Sequence, residues 1–183
     1  IGSDGQIVLT MPYVEMGQGT YTSIPMLIAE ELEVDLKQVQ LEAAPPNEKL
    51  YANPLLGVQA TGNSNAVRGA WQPLRQAGAT ARTMLVSAAA KRWNVEPASC
   101  RAQSGEVLHA PTGRKIKYGD LAADASRMPV PENVALKPRK DFKLIGTPAK
   151  RLDTPSKVNG TAVYGIDVRP PGARVRAGAV GAA

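Results

Sequence analysis

The sequence predicts an α+β fold, a mixed sheet with packed helices, on three observations. A strand, a glycine turn and a helix follow one another near the N-terminus. A long alanine-rich amphipathic segment occupies the middle, and three short alternating runs separated by turn residues come after it.

Taken in order, residues 5–11 (GQIVLTM) are β-branched and apolar and are closed by Pro12, which predicts a strand. The turn Met16-Gly17-Gln18-Gly19 follows. From about Thr22, the residues Ile24, Leu27, Ile28 and Leu32 recur at helical spacing, with Thr22 or Ser23 as N-cap and Pro25 in the first turn. Glu30 and Glu31 read as helix surface. Residues 38–43 (QVQLEA) alternate as a second strand, broken by Pro45-Pro46-Asn47.

A polar, glycine-bearing stretch then enters the longest periodic segment. Val67, Ala70, Trp71, Leu74, Ala77, Ala81, Leu85, Ala88 and Ala89 form one stripe ending near Trp93, a helix for Ser64 or Asn65 to cap and with Pro73 deep inside. Trp71 and Trp93 are packing anchors, and the alanines imply close approach to a neighbour. Residues 100–103, 106–109 and 114–118 are small antiparallel strands between Ser104-Gly105 and Pro111-Thr112-Gly113. Residues 119–126 make a short helix. Pro129, Pro131, Pro138 and Pro148 mark an extended connection, with a domain boundary near Thr147. Asn159-Gly160 is a tight turn and residues 161–166 a strand, whereas residues 169–183 hold only Arg, Pro, Gly, Ala and two Val and are expected to be loose. Residues 1–147 and 148–183 are thus read as separate domains.

Composition narrows the function. Hydrophobic residues at 43% and charged residues at 21% are globular values, which argues against wholesale disorder. The net charge of +6 is spread along the chain, densest at Lys137, Arg139, Lys140 and Lys143, without the series of alternating aromatics a nucleic-acid platform needs. No nucleic-acid partner is expected. Cys100 and His109 are the only residues of their types, so no disulfide, zinc site or iron–sulfur cluster can be built from this chain alone. Cys100 reads as a small core hydrophobe and His109 as an exposed, inert residue. Metal ligands from the chain: none; any metal must arrive on a carrier. No apolar run of about 20 residues suggests a membrane span. The chain starts at Ile1, which points to sequence upstream and leaves the compartment open.

Two segments have the chemistry of a ligand site. Met16, Gly17, Gln18 and Gly19 lie between a strand and a helix, where backbone N–H groups and the helix dipole favour an anion. A dinucleotide fingerprint needs a third glycine at position 22, which is Thr22, so a glycine turn without ligand competes with this reading. Thr61, Gly62, Asn63 and Ser64 stand ahead of the long helix and offer several donors at one N-terminus; a well-capped helix is the bland alternative.

The run from Val14 through Glu15, Met16, Gly17, Gln18 and Gly19 to Thr20, the downstream Ala29-Glu30-Glu31-Leu32, and Gln59-Ala60-Thr61-Gly62-Asn63-Ser64 ahead of Val67-Arg68-Gly69-Ala70-Trp71 resemble the xanthine oxidase family, in the branch of the isoquinoline 1-oxidoreductase beta subunit. Arg151-Leu152-Asp153-Thr154-Pro155, Lys157-Val158-Asn159-Gly160 and Tyr164-Gly165-Ile166-Asp167-Val168 are similar to the opening of that family's α/β hammerhead domain. The resemblance ends after Pro171. It implies that residues 1–147 are part of a molybdopterin-binding domain in the large subunit of a molybdenum hydroxylase that oxidises an aldehyde or N-heterocyclic aromatic with water as oxygen source.

The implied cofactor is molybdenum–molybdopterin in the cytosine dinucleotide form. Met16, Gly17, Gln18 and Gly19 would lie against the pterin and Thr61, Gly62, Asn63 and Ser64 against the phosphate-bearing part, although Thr61 and Asn63 depart from the small residues commonest there. The implied partners are the remainder of the large subunit, a small [2Fe-2S] subunit carrying the iron–sulfur clusters, and a cytochrome c. Catalytic residues in this chain: none, because the family's base glutamate lies far towards its C-terminus. Glu15 is then a structural hydrogen-bond partner. The chain alone is expected to be inactive, and a structural or interaction fragment without cofactor is the competing class.

Overall fold

The computed structural model describes residues 1–174; the expected looseness of residues 175–183 lies outside them. They fall into two compact units, Ile1–Leu152 and the residues from Asp153 onward. No helix among the described residues is long and apolar enough to cross a membrane.

The first unit is α+β, with parallel and antiparallel pairings in separate sheets. Strands β1 (Ile7–Met11) and β2 (Val39–Ala43) pair in parallel, from Ile7 opposite Val39 to Met11 opposite Ala43. Parallel strands need a crossover, and α1 (Thr20–Leu32) supplies most of it. Ile7, Leu9 and Met11 point inward beneath the helices. A single-turn helix, α2 (Glu48–Tyr51), precedes the long α3 (Ala66–Trp93), which continues through Pro73. Helices α1 and α3 meet at Gly78, where an added Cβ would lie 2.8 Å from the Ile28 carbonyl oxygen. Only glycine permits that approach.

Strands β3 (Cys100–Gln103), β4 (Glu106–His109) and β5 (Arg114–Lys117) form the antiparallel sheet, followed by α4 (Tyr118–Ala125) against α3. Ile24, Leu27, Leu32, Leu85, Val107 and Leu121 fill the core between these layers. The buried Tyr118 hydroxyl donates to the Leu32 carbonyl at 2.7 Å, satisfying an orphan acceptor at the end of α1.

Four expectations are corrected: the N-cap of α1, the exposure of His109, the surface placement of Glu30 and Glu31, and the strand over residues 161–166. Helix α1 begins at Thr20, with Gly19 rather than Thr22 or Ser23 as N-cap. The left-handed backbone of Gly19 (φ 88°) turns the chain so that its carbonyl accepts from Thr22 and Ser23 at 3.1 and 2.9 Å. His109 is buried rather than exposed, because the alternation of β4 places it on the same inner face as Val107; its Nδ1 lies 2.7 Å from the Thr112 hydroxyl.

Glu30 and Glu31 are 1% and 0% exposed rather than on the helix surface. The stretch read as a free proline-rich connection covers them. Backbone N–H groups of Lys143, Leu144 and Ile145 donate to the Glu30 carboxylate, at 2.9, 2.7 and 3.0 Å to Oε2, and Lys137 Nζ reaches its other oxygen. Glu31 accepts two bonds from Arg75, at 2.9 and 2.7 Å, and the backbone N–H of Lys137 at 3.2 Å. Buried charge is tolerated only with this degree of pairing. Burial alone would raise the Glu30 pKa, but Lys137 and the three N–H groups outweigh it and hold the carboxyl below the ordinary range.

Among its described residues the second unit has one short helix, α5 (Thr154–Val158), with Pro155 in its first turn and Lys157 paired with Asp153. Gly160 (φ 79°) makes the turn after it, and the Asn159 side chain accepts from the Thr161 N–H at 3.0 Å. The strand expected over residues 161–166 does not form. No strand pairs with it among the described residues, and Gly165–Asp167 closes into a 3-10 turn.

Candidate cofactor-binding site

Glu15 organises the first glycine turn from within. Its side chain is 5% exposed and its Oε1 accepts from the N–H groups of Gly17 and Gly19 at 2.8 and 2.9 Å. Oε2 takes the N–H of Tyr21 at 3.0 Å, in the first turn of α1. Arg151 Nη2 completes the set at 3.0 Å from Oε1. Burial pushes the Glu15 carboxyl up, but the N–H groups of Gly19, Tyr21 and Gly17 and the Arg151 charge prevail, leaving it below the usual carboxylate range. Gln18 closes the turn from its other end: its Oε1 accepts from Met16 N–H at 2.6 Å and its Nε2 donates to the Val14 carbonyl at 3.0 Å.

These bonds correct the expectation of free donors in this turn. The N–H groups of Met16, Gly17 and Gly19 are already engaged. The side chains of Met16 and Gln18 are what the turn presents.

The second turn differs. Asn63 and Ser64 are consecutive non-glycine residues in left-handed conformation, φ 52° and 50°, at a cost of order 1–3 kcal/mol each. Asn65 is the N-cap of α3 but makes no side-chain cap bond, contrary to the capping expected of Ser64 or Asn65. Asn53 diverts it, donating from Nδ2 to the Asn65 side-chain oxygen at 2.7 Å between two buried groups. With no acidic residue in its first turn either, α3 keeps the positive end of its dipole uncovered.

The turns are joined by the Val14 N–H, which donates to Thr61 Oγ1 at 2.9 Å. A cavity of about 410 Å³ takes Met16, Gln18 and Thr20 from the first turn. Thr61, Gly62, Asn63 and Ser64 and the start of α3 form its other side, whereas Gly17 and Gly19 do not line it. Every lining residue is neutral. A Cβ at Gly62 would meet nothing within 4 Å, so the backbone is open to close approach there. Hydroxyl and amide donors, an uncovered helix start and the apolar Met16 and Val67 fit a phosphate-bearing organic group. Among the described residues no group of three or more His, Cys, Asp or Glu is placed to hold a metal ion. Asn53 and Arg151 escape sequence reasoning: one lies in an undistinguished polar run, the other 134 residues from the carbonyl it meets.

Comparison with known proteins assigns the class. The family profile of a molybdopterin cofactor-binding domain matches residues 1–173, and the chain belongs to that family. It is 36% identical to the isoquinoline 1-oxidoreductase beta subunit of Brevundimonas diminuta, over 94% of this chain and 26% of that protein. Identity to the membrane-bound aldehyde dehydrogenase (pyrroloquinoline-quinone) of Gluconacetobacter polyoxogenes is also 36%, over 94% of this chain and 22% of the relative. A nicotinate dehydrogenase subunit of Pseudomonas putida is 30% identical, over 93% of this chain and 14% of the relative. The fold matches quinoline 2-oxidoreductase from Pseudomonas putida 86 with a TM-score of 0.52 at 22% identity, covering 70% of this chain and 16% of that one. This chain therefore spans about a quarter or less of these proteins.

Proposed function

We propose that this chain is a segment of the large subunit of a molybdenum hydroxylase, acting on an aldehyde or an N-heterocyclic aromatic with water as oxygen source. In this reading residues 1–147 are part of the molybdopterin-binding domain and residues 148–183 open an α/β hammerhead domain. The observation that carries it is one cavity walled by both turns, with neutral donors and an uncovered helix start on one side.

Of the turn Met16, Gly17, Gln18 and Gly19, the side chains of Met16 and Gln18 form the wall against the pterin, and Gly17 and Gly19 shape the backbone that carries them. Thr61, Gly62, Asn63 and Ser64 hold the phosphate-bearing part, in the cytosine dinucleotide form, through side-chain donors and the α3 dipole. When bound, the molybdenum centre supplies the two-electron oxidation. This chain's residues orient that group; they move no proton, and the base glutamate is carried by the remainder of the large subunit. Electrons leave through a small [2Fe-2S] subunit and a cytochrome c.

The test is the molybdenum and pterin content of the chain purified from a host that makes the cofactor. About one pterin per chain is the expected result. Absence of both favours a structural fragment, and stabilisation by phosphate without any pterin reduces the site to a generic anion pocket.

A further inference from the structure

We propose that Arg151 is a positioning residue for the glycine turn, fixing from the far end of the first unit the backbone that carries the cavity-lining side chains of Met16 and Gln18. This rests on the cofactor reading above.

Arg151 grips the turn at two points. Its Nη1 donates to the Gly17 carbonyl at 2.9 Å and its Nη2 to Glu15 Oε1 at 3.0 Å. That same Oε1 receives the N–H of Gly17 at 2.8 Å. The peptide groups on both sides of Gly17 are thus held by one carboxylate–guanidinium pair. Planar guanidinium geometry suits this, because its two donors diverge in one plane; a lysine ammonium is a point charge.

The arginine is itself placed by its neighbour. The Leu152 N–H donates to the Thr22 hydroxyl at 3.0 Å, tying the backbone beside Arg151 to the first turn of α1. Glu15 lies inside at 5% side-chain exposure and Arg151 at the rim at 37%, so Arg151 closes the turn from outside. Gly17 adopts φ 104°, a conformation open mainly to glycine and correspondingly free to move when unpinned. The contact spans 134 residues, so it forms only once the segment ending at Leu152 has packed beside α1.

The experiment compares the full chain with Arg151→Ala and Arg151→Lys. Amide hydrogen exchange is read at Gly17, Gly19 and Tyr21, with Leu85 and Ala89 in α3 as controls, and pyrophosphate binding is measured by calorimetry. Arg151→Ala should speed exchange at the three turn amides about tenfold, the effect of one lost hydrogen bond to a charged group, and weaken pyrophosphate by a similar factor. The α3 amides should not change, and Arg151→Lys should recover part of both effects. Unchanged exchange at Gly17 and Gly19, or equal acceleration at the α3 controls, overturns the proposal. If Arg151→Ala does not fold, the Lys variant carries the same comparison, because one ammonium nitrogen cannot span the Gly17 carbonyl and Glu15 as the two guanidinium nitrogens do. A wild-type chain that takes up no pyrophosphate counts against the cofactor reading, while the exchange data still decide the role of Arg151.

Discussion

The turn ending at Gly19 and the turn ending at Asn65 each lead a chain into a helix, and they finish in opposite electrostatic states. At the first, a buried carboxylate from Glu15 sits at the start of α1 and consumes the donors. At the second, Asn53 draws the N-cap side chain away and α3 starts bare. Glycines and polar residues ahead of a helix are therefore not sufficient to mark an anion site. What decides it is whether a neighbouring side chain has already taken the dipole.

The difference can be broken most severely at Glu15. Glu15→Ala leaves three N–H groups without their acceptor and breaks the pair with Arg151, and should lower unfolding stability by about 3 kcal/mol in urea titration. A loss under about 1 kcal/mol would mean that the turn holds its own shape. The pH dependence has a definite sign. Because the folded carboxyl lies below its ordinary value, its contribution is present above the ordinary carboxylate range and is lost as pH falls through the depressed folded value. In the milder variant Glu15→Gln, stability should fall less steeply over that acid window than in the wild type.

A smaller effect of opposite sign is expected at Ser64. Ser64→Gly removes a side chain from a left-handed backbone (φ 50°) and should stabilise the chain by about 1 kcal/mol, read from the urea midpoint. If the cavity is a binding site, the same variant retains less pterin because a lining hydroxyl is gone. The smallest effect belongs to Val67→Asp, which gives the bare start of α3 the carboxylate that α1 already has. About 0.5 kcal/mol of added stability is expected, fading with salt, together with loss of pyrophosphate binding measured by calorimetry.

Much of the framework was legible because its signal is periodic. The β-branched, apolar run of residues 5–11 and the alternation of residues 38–43 yield β1 and β2, and the alanine stripe yields α3 to within a residue or two. His109 is misread as exposed, although the alternation that puts it on one face with Val107 is there to be followed. Glu30 and Glu31 were not legible, because what licenses their burial is a set of backbone N–H groups in a stretch that composition marks only as proline-rich. Within the candidate site the two turns stood out by residue type. Of their partners, Glu15 reads as a structural hydrogen-bond partner and is one, while Asn53 and Arg151 act through geometry that no local pattern encodes.

The buried glutamates of α1 also impose an order of events during synthesis. Glu30 and Glu31 leave the ribosome well before backbone groups that bind them, which are added 106 to 115 positions later. Glu31 meets Arg75 as soon as α3 packs on α1, but Glu30 stays without its partners until residues 137–145 are made, so its part of the helix is covered last.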